Sequence, residues 1–158
     1  MTLEDELPSG DSEEPWIWAD APGPAGEDGA YTGKWMLFVP TSEVDEVWGK
    51  VAGSTEASEL GSGAKVSTRA NNRRNRHAKG PDTHVICVYT RDCRDVADVT
   101  RVLVELRRLG FQGLLSYKED GATLANRYGR GAALFVAKVG STTPERRRDW
   151  IPSPREEL

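Results

Sequence analysis

The alternation of apolar and polar positions is clearest between residues 83 and 110. Val85, Ile86, Cys87, Val88 and Tyr89 form an unbroken apolar run, β-branched and aromatic, that suits a short strand buried on both faces. Past a polar turn, Val96, Val99, Val102, Leu103, Leu106 and Leu109 recur at three- and four-residue spacing, which predicts a helix with one apolar stripe. Asp95 stands where a side-chain cap belongs, and Gly110 where a left-handed stop belongs. A buried strand feeding a one-sided helix gives other strands something to pair with and lie under.

The same patterns recur on either side. Residues 34–39 predict the first strand, ended by Pro40. Thr41 or Ser42 then caps a helix with the stripe Val44, Val47, Trp48 and Val51, acids in its first turn and a frayed end near Gly53. Residues 64–68 are short but strand-like. Residues 69–81 hold Arg69, Arg73, Arg74, Arg76, Lys79 and His77 with no acid, and their asparagines and glycine predict a loop. Further strands are expected at 114–118 and 132–139, with a helical piece at 122–128. This order predicts an α+β fold: a mixed or antiparallel sheet with helices packed on one face and the other face open to a ligand.

Composition changes the picture at the two ends. Residues 1–30 carry nine acids, no Lys or Arg, and Pro8, Pro15, Pro22 and Pro24, so most of the segment is expected to be disordered. The exception is Pro15, Trp16, Ile17 and Trp18, whose indoles either dock on the domain and close its core or form an aromatic platform. A single domain over 31–140 and an extended tail over 141–158, pinned by Trp150, complete the expected organisation. The formal net charge is −4, so with nine acids in the first thirty residues the remainder carries +5. That balance favours phosphate-bearing partners.

Other classes recede. No apolar run approaches the roughly 20 residues of a membrane helix, and the N-terminus is acidic where a signal peptide is basic. A cytoplasmic protein without a membrane partner is expected. Cys87 and Cys93 form no CxxC or Cys/His cluster, so they read as reduced thiols, and neither metal nor cofactor is expected. The common dinucleotide, phosphate-loop, esterase and zinc-protease motifs are absent.

What stands out is lysine at strand positions: Lys34, Lys65, Lys118 and Lys138. Lysine is depleted from strand interiors. It serves there either to keep an edge soluble or, several together, as a basic floor for phosphate. Lys65, beside Ser67 and Thr68, and Lys118, beside Ser116 and Tyr117, are the two singled out as bases. Arg127 and Arg130 suit phosphate oxygens or an ordinary helix end. Arg73 and Arg74 lie in the basic stretch, which either holds the phosphate of a phosphorylated or nucleic-acid ligand or is a solvated loop. His84 is either a satisfied structural histidine or an acid, while Tyr89 and Tyr117 read as packing.

Four segments, taken in order, resemble the basophilic-leukaemia-expressed protein (Bles-like) family. They are Gly33, Lys34, Trp35, Met36, Leu37 and Phe38 with Val44, Asp45 and Trp48; Gly63, Ala64, Lys65, Val66 and Ser67; His84 to Tyr89 with Asp95, Asp98 and Val99; and Tyr117, Lys118, Asp120 and Thr123. The resemblance spans about residues 33–128; the strand at 132–139 departs from the eukaryotic pattern. It implies a fold similar to translation initiation factor 4E, a curved antiparallel sheet with helices packed on one face. Bacterial relatives are described, by assignment only, as phosphothreonine lyase domains. The implied activity is β-elimination of phosphate from a phosphorylated peptide, needing no metal or other cofactor, in modified-peptide biosynthesis. Lys118 or Lys65 would be the base, Lys34, Arg127 and Arg130 would hold phosphate, and His84 would be the acid. The alternative is a non-catalytic module that binds a nucleotide, a capped RNA end or a phosphopeptide on the sheet face, with Trp16, Trp18, Trp35 or Trp48 stacking a base.

Overall fold

A computed structural model of the chain describes residues 7–10, 13–23, 31–74, 82–120 and 133–146, the side chains of 72–74 excepted. Its elements are β1 (Trp16–Asp20), β2 (Gly33–Pro40), α1 (Thr41–Glu56), β3 (Gly63–Ser67), α2 (Arg69–Arg74), β4 (Thr83–Thr90), α3 (Val96–Arg108), β5 (Leu115–Glu119), β6 (Phe135–Ala137) and β7 (Glu145–Arg146). The strands form one antiparallel sheet in the order β1-β3-β4-β2-β5-β6-β7, and the fold is α+β. Two compact units divide the chain, one of Met1–Pro22 with Leu37–Val88, the other of Gly23–Met36 with Tyr89–Leu158. Both β2 and β4 contribute to each.

In the first unit, α1 buries Val44, Trp48 and Val51, the stripe its spacing predicts, against β1 and β3. Its start differs from expectation. Pro40 is the N-cap and no side chain caps the helix, because the Thr41 hydroxyl instead meets His84 Nε2 at 2.9 Å. The helix also runs through Gly53 to Glu56. The basic stretch opens as the short helix α2 rather than a loop: the Thr68 hydroxyl accepts from the Asn71 amide at 3.3 Å and donates to the Glu14 carbonyl at 2.5 Å. Residues 75–81 lie outside the described residues.

The acidic N-terminal segment is built into this unit wherever it is described. β1 pairs with β3 from Trp16↔Ser67 to Asp20↔Gly63. Ser9 donates through its amide, at 3.0 Å, and through its hydroxyl to the Asp45 carboxylate, and the Arg69 amide donates to the Pro8 carbonyl at 3.1 Å. Trp18 does not close a core; it is 58 % exposed.

In the second unit, α3 follows its predicted course except at the first stripe position, Val96, which is exposed. Asp95 accepts from the Asp98 amide, Val99, Val102, Leu103 and Leu106 are buried, and Gly110 stops the turn at φ +108°. Below it, Trp35 of β2 is fully buried and its indole donates to the Val99 carbonyl at 3.0 Å. Tyr117 of β5 lies edge-on to Trp35 and tilted against Phe135. Arg107 is 6 % exposed and donates to the carbonyls of Ser141, Phe111, Gly113 and Lys138, tying two connecting segments to the helix end. Burial pulls its guanidinium down from its ordinary value.

Several boundaries move. β4 is not buried on both faces: Val85 and Tyr89 are half-buried, as befits an antiparallel sheet with one open side. The strand expected at 132–139 contracts to β6, and the C-terminal stretch supplies β7. The helical piece at 122–128 and Trp150 lie outside the described residues.

Candidate functional site

On β2 and β5 the alternation of a strand decides which side chains share a face. Trp35 and Leu37 of β2, and Leu115, Tyr117 and Glu119 of β5, are buried; Ser116, Lys118 and Asp120 are half-buried on the other side of β5. The register pairs Lys34 directly with Lys118 and Trp35 with Tyr117. Directly opposed residues of an antiparallel pair share a face with Cβ atoms about 5 Å apart. Two lysines therefore stand side by side on the side of these strands turned away from the Trp35 and Tyr117 rings.

The glycine before Lys34 makes this register possible. A Cβ on Gly33 would fall 2.2 Å from the Tyr117 hydroxyl, so Tyr117 can lie across Gly33 only while that position has no side chain. The hydroxyl reaches Thr90 Oγ1 at 2.5 Å. Burial pushes the Tyr117 phenol up from its ordinary value of 10.0, with the Thr90 hydrogen bond opposing. It is a packing group that holds β5 against β2 and sets where Lys118 stands.

The ladder runs one step beyond the strands, with the Asp120 amide donating to the Thr32 carbonyl at 2.8 Å. Asp120 thus falls two positions from Lys118 and on the same face. Its Oδ1 accepts from Lys34 Nζ at 3.1 Å, the Lys34 side chain being 10 % exposed and that of Asp120 33 %. The Tyr89 ring lies 5.8 Å from the same ammonium. A cation this withdrawn from water needs such a partner. Lys34, Lys118, Asp120 and Tyr89 form the most concentrated set of charged and polar groups that the described residues place around the candidate lysines.

The first unit holds the other two candidates. Lys65 stands on β3 opposite Trp18, its ammonium 4.0 Å from the Trp16 ring centre and 5.2 Å from that of Trp18, a cation–π contact on both. His84 is fully buried. Its Nδ1 donates to the Ser67 carbonyl at 2.7 Å, which leaves Nε2 to accept from the Thr41 hydroxyl. Both ring nitrogens therefore have hydrogen-bond partners within the fold. Arg73 and Arg74 lie in α2 with side chains that are not described, and Arg127 and Arg130 lie outside the described residues. Lys138 is exposed and 3.5 Å from Glu145.

A protein-family model described as basophilic leukemia-expressed protein Bles03 matches residues 11–123. The chain belongs to that family. The Bles03 match takes in β1, both paired lysines and Asp120, and stops short of Arg127 and Arg130. It also takes in Trp16 and Trp18 and most of the acidic segment, which the sequence resemblance left aside. Within the Bles03 region the residue that sequence reasoning underrated is Asp120. Its signal was present: an acid two places after a strand lysine shares that lysine's face. Among the described residues no group of three or more His, Cys, Asp or Glu is placed to hold a metal ion, and no helix is long and apolar enough to cross a membrane.

Proposed function

We propose that this Bles03-family chain is a phosphothreonine or phosphoserine lyase acting on a phosphorylated peptide, with its site at Lys34 and Lys118. The observation that supports it is the direct pairing of these lysines across β2 and β5, which stands one lysine beside the other on the same face, one for the phosphate and one for the proton. In this reading Lys34, held by Asp120, anchors the phosphate. Lys118 in its amine form takes the proton from Cα; the C–H electrons form the Cα–Cβ double bond, and the Cβ–O bond breaks with its electrons leaving on the phosphate. The leaving phosphate takes a proton from solvent. No water is added to carbon, and the product is a dehydroamino acid. Arg127 and Arg130 remain candidates for further phosphate contacts.

Mass spectrometry of phosphothreonine and phosphoserine peptides incubated with the protein tests this. The expected product has lost phosphoric acid and then adds a thiol. Lys118→Ala is expected to lower turnover by at least about a hundredfold, the range of a lost general base. Recovery of the plain hydroxyl peptide, or full activity in Lys118→Ala, would sink the assignment.

A second reading is supported by the first unit alone. Trp18, 58 % exposed beside Lys65 and Trp16, offers an indole face and a cation, the combination that takes a base and its phosphate. In this reading the protein binds a nucleotide or RNA end. Titrating nucleotides against tryptophan fluorescence in the wild type and in Trp18→Ala measures it, and an unchanged signal at saturating nucleotide rejects it.

A further inference from the structure

The second unit already places an anion on one of its two paired lysines. Asp120 is fixed by the Thr32 rung of the ladder, and its carboxylate receives Lys34 Nζ at 3.1 Å. Lys34 is 8 % exposed, so a ligand anion reaches it by taking the place of that carboxylate. We propose that Asp120 is a specificity-determining residue, an internal carboxylate that an incoming phosphoryl group displaces and an incoming carboxylate does not. The inference rests on the reading of Lys34 and Lys118 as the phosphate site, and it adds what that site refuses.

The physical argument is one of exchange. Replacing the Asp120 carboxylate by a peptide Asp or Glu trades one Lys34–carboxylate pair for another, and adds the entropy lost in ordering the peptide. A phosphoryl group brings nearly two charges and three acceptor oxygens. It can hold Lys34 and at the same time reach Lys118, directly opposite in the ladder, which a single displaced carboxylate does not require. The built-in competitor therefore sets a threshold: it costs every anion the same displacement, which a phosphoryl group exceeds and a lone carboxylate does not. Among the described residues, the other groups near Lys34 do not supply it. Tyr89 presents a ring to the ammonium, and Glu119, fully buried, lies on the opposite side of β5.

The test measures binding of three versions of one peptide to the full chain by fluorescence anisotropy. The varied position carries a non-eliminable phosphonate analogue of phosphothreonine, a glutamate or a threonine. Wild type is expected to bind the phosphonate peptide at least about tenfold more tightly than the glutamate peptide, the scale of one charge-assisted contact. In Asp120→Asn both anionic peptides are expected to gain about tenfold, so that the glutamate peptide binds measurably. Adding Lys34→Ala to Asp120→Asn should remove that gain. Unchanged affinity of both anionic peptides in Asp120→Asn and in Asp120→Ala, both folded by circular dichroism, overturns the inference while leaving the phosphate site standing. Wild type that binds none of the three peptides and releases no phosphate overturns the functional reading itself.

Discussion

Gly33 shows how much one missing side chain can decide. Tyr117 crosses that position to reach Thr90, and Lys118 takes its place opposite Lys34 only in this register. Gly33→Ala is expected to cost about 1–3 kcal/mol, the range for overpacking a closed core. Chemical denaturation measures this, and combining it with Tyr117→Leu should cost less than the sum of the two single changes, because the smaller side chain makes room. None of this was legible beforehand. Gly33 reads as a strand's first residue, and only the partner across the ladder reveals why nothing larger fits. Arg107 was equally hidden, reading as one more charge near a helix end, yet it joins the carbonyls of Phe111 and Gly113, just past the helix, to those of Lys138 and Ser141, far along the chain. His84 was legible in kind, since a histidine opening a buried strand needs partners for both nitrogens; which partners it meets, Ser67 and Thr41, depended on the packing.

At the level of elements, α3 was the most legible because its stripe, cap and stop agree with one another. α2 was missed because an asparagine- and arginine-rich stretch has no apolar stripe; its first turn is instead held by Thr68, whose hydroxyl serves both Asn71 and Glu14. β1 was half seen. Its tryptophans announced an ordered stretch, but their role is to extend the sheet at β3 and not to fill a core. Removing residues 1–22 therefore takes away the strand that covers the β3 edge, together with the Ser9 and Pro8 contacts. The shortened chain is expected to melt at least about 5 °C lower and to self-associate, as uncovered edges do. Differential scanning fluorimetry and light scattering check this. Trp18→Ala alone should shift melting by less than about 2 °C, since an exposed side chain has little packing to lose.

For the whole molecule, the α+β class followed from the order of patterns, and the family followed from segments in series. The position of the site followed only in part, because strand lysines announce a face but not which of them meet. The charge asymmetry bears on function directly. With +5 on residues 31–158, phosphopeptide binding to wild type is expected to weaken by at least about threefold between 50 and 200 mM salt, as screening shortens the reach of the lysines. Isothermal titration at several salt concentrations measures it, and a flat response would count against ionic recognition. The division of β2 and β4 between two units has a further consequence, for the growing chain. The first unit lacks part of β4 until Val88 has been made, and the second begins at Gly23 yet waits for residues beyond Tyr89. The first unit therefore has its whole sequence once Val88 is made, while Gly23–Met36, made early and lying within the first unit's span of the chain, waits for the residues beyond Tyr89, so on the ribosome the two units become complete one after the other.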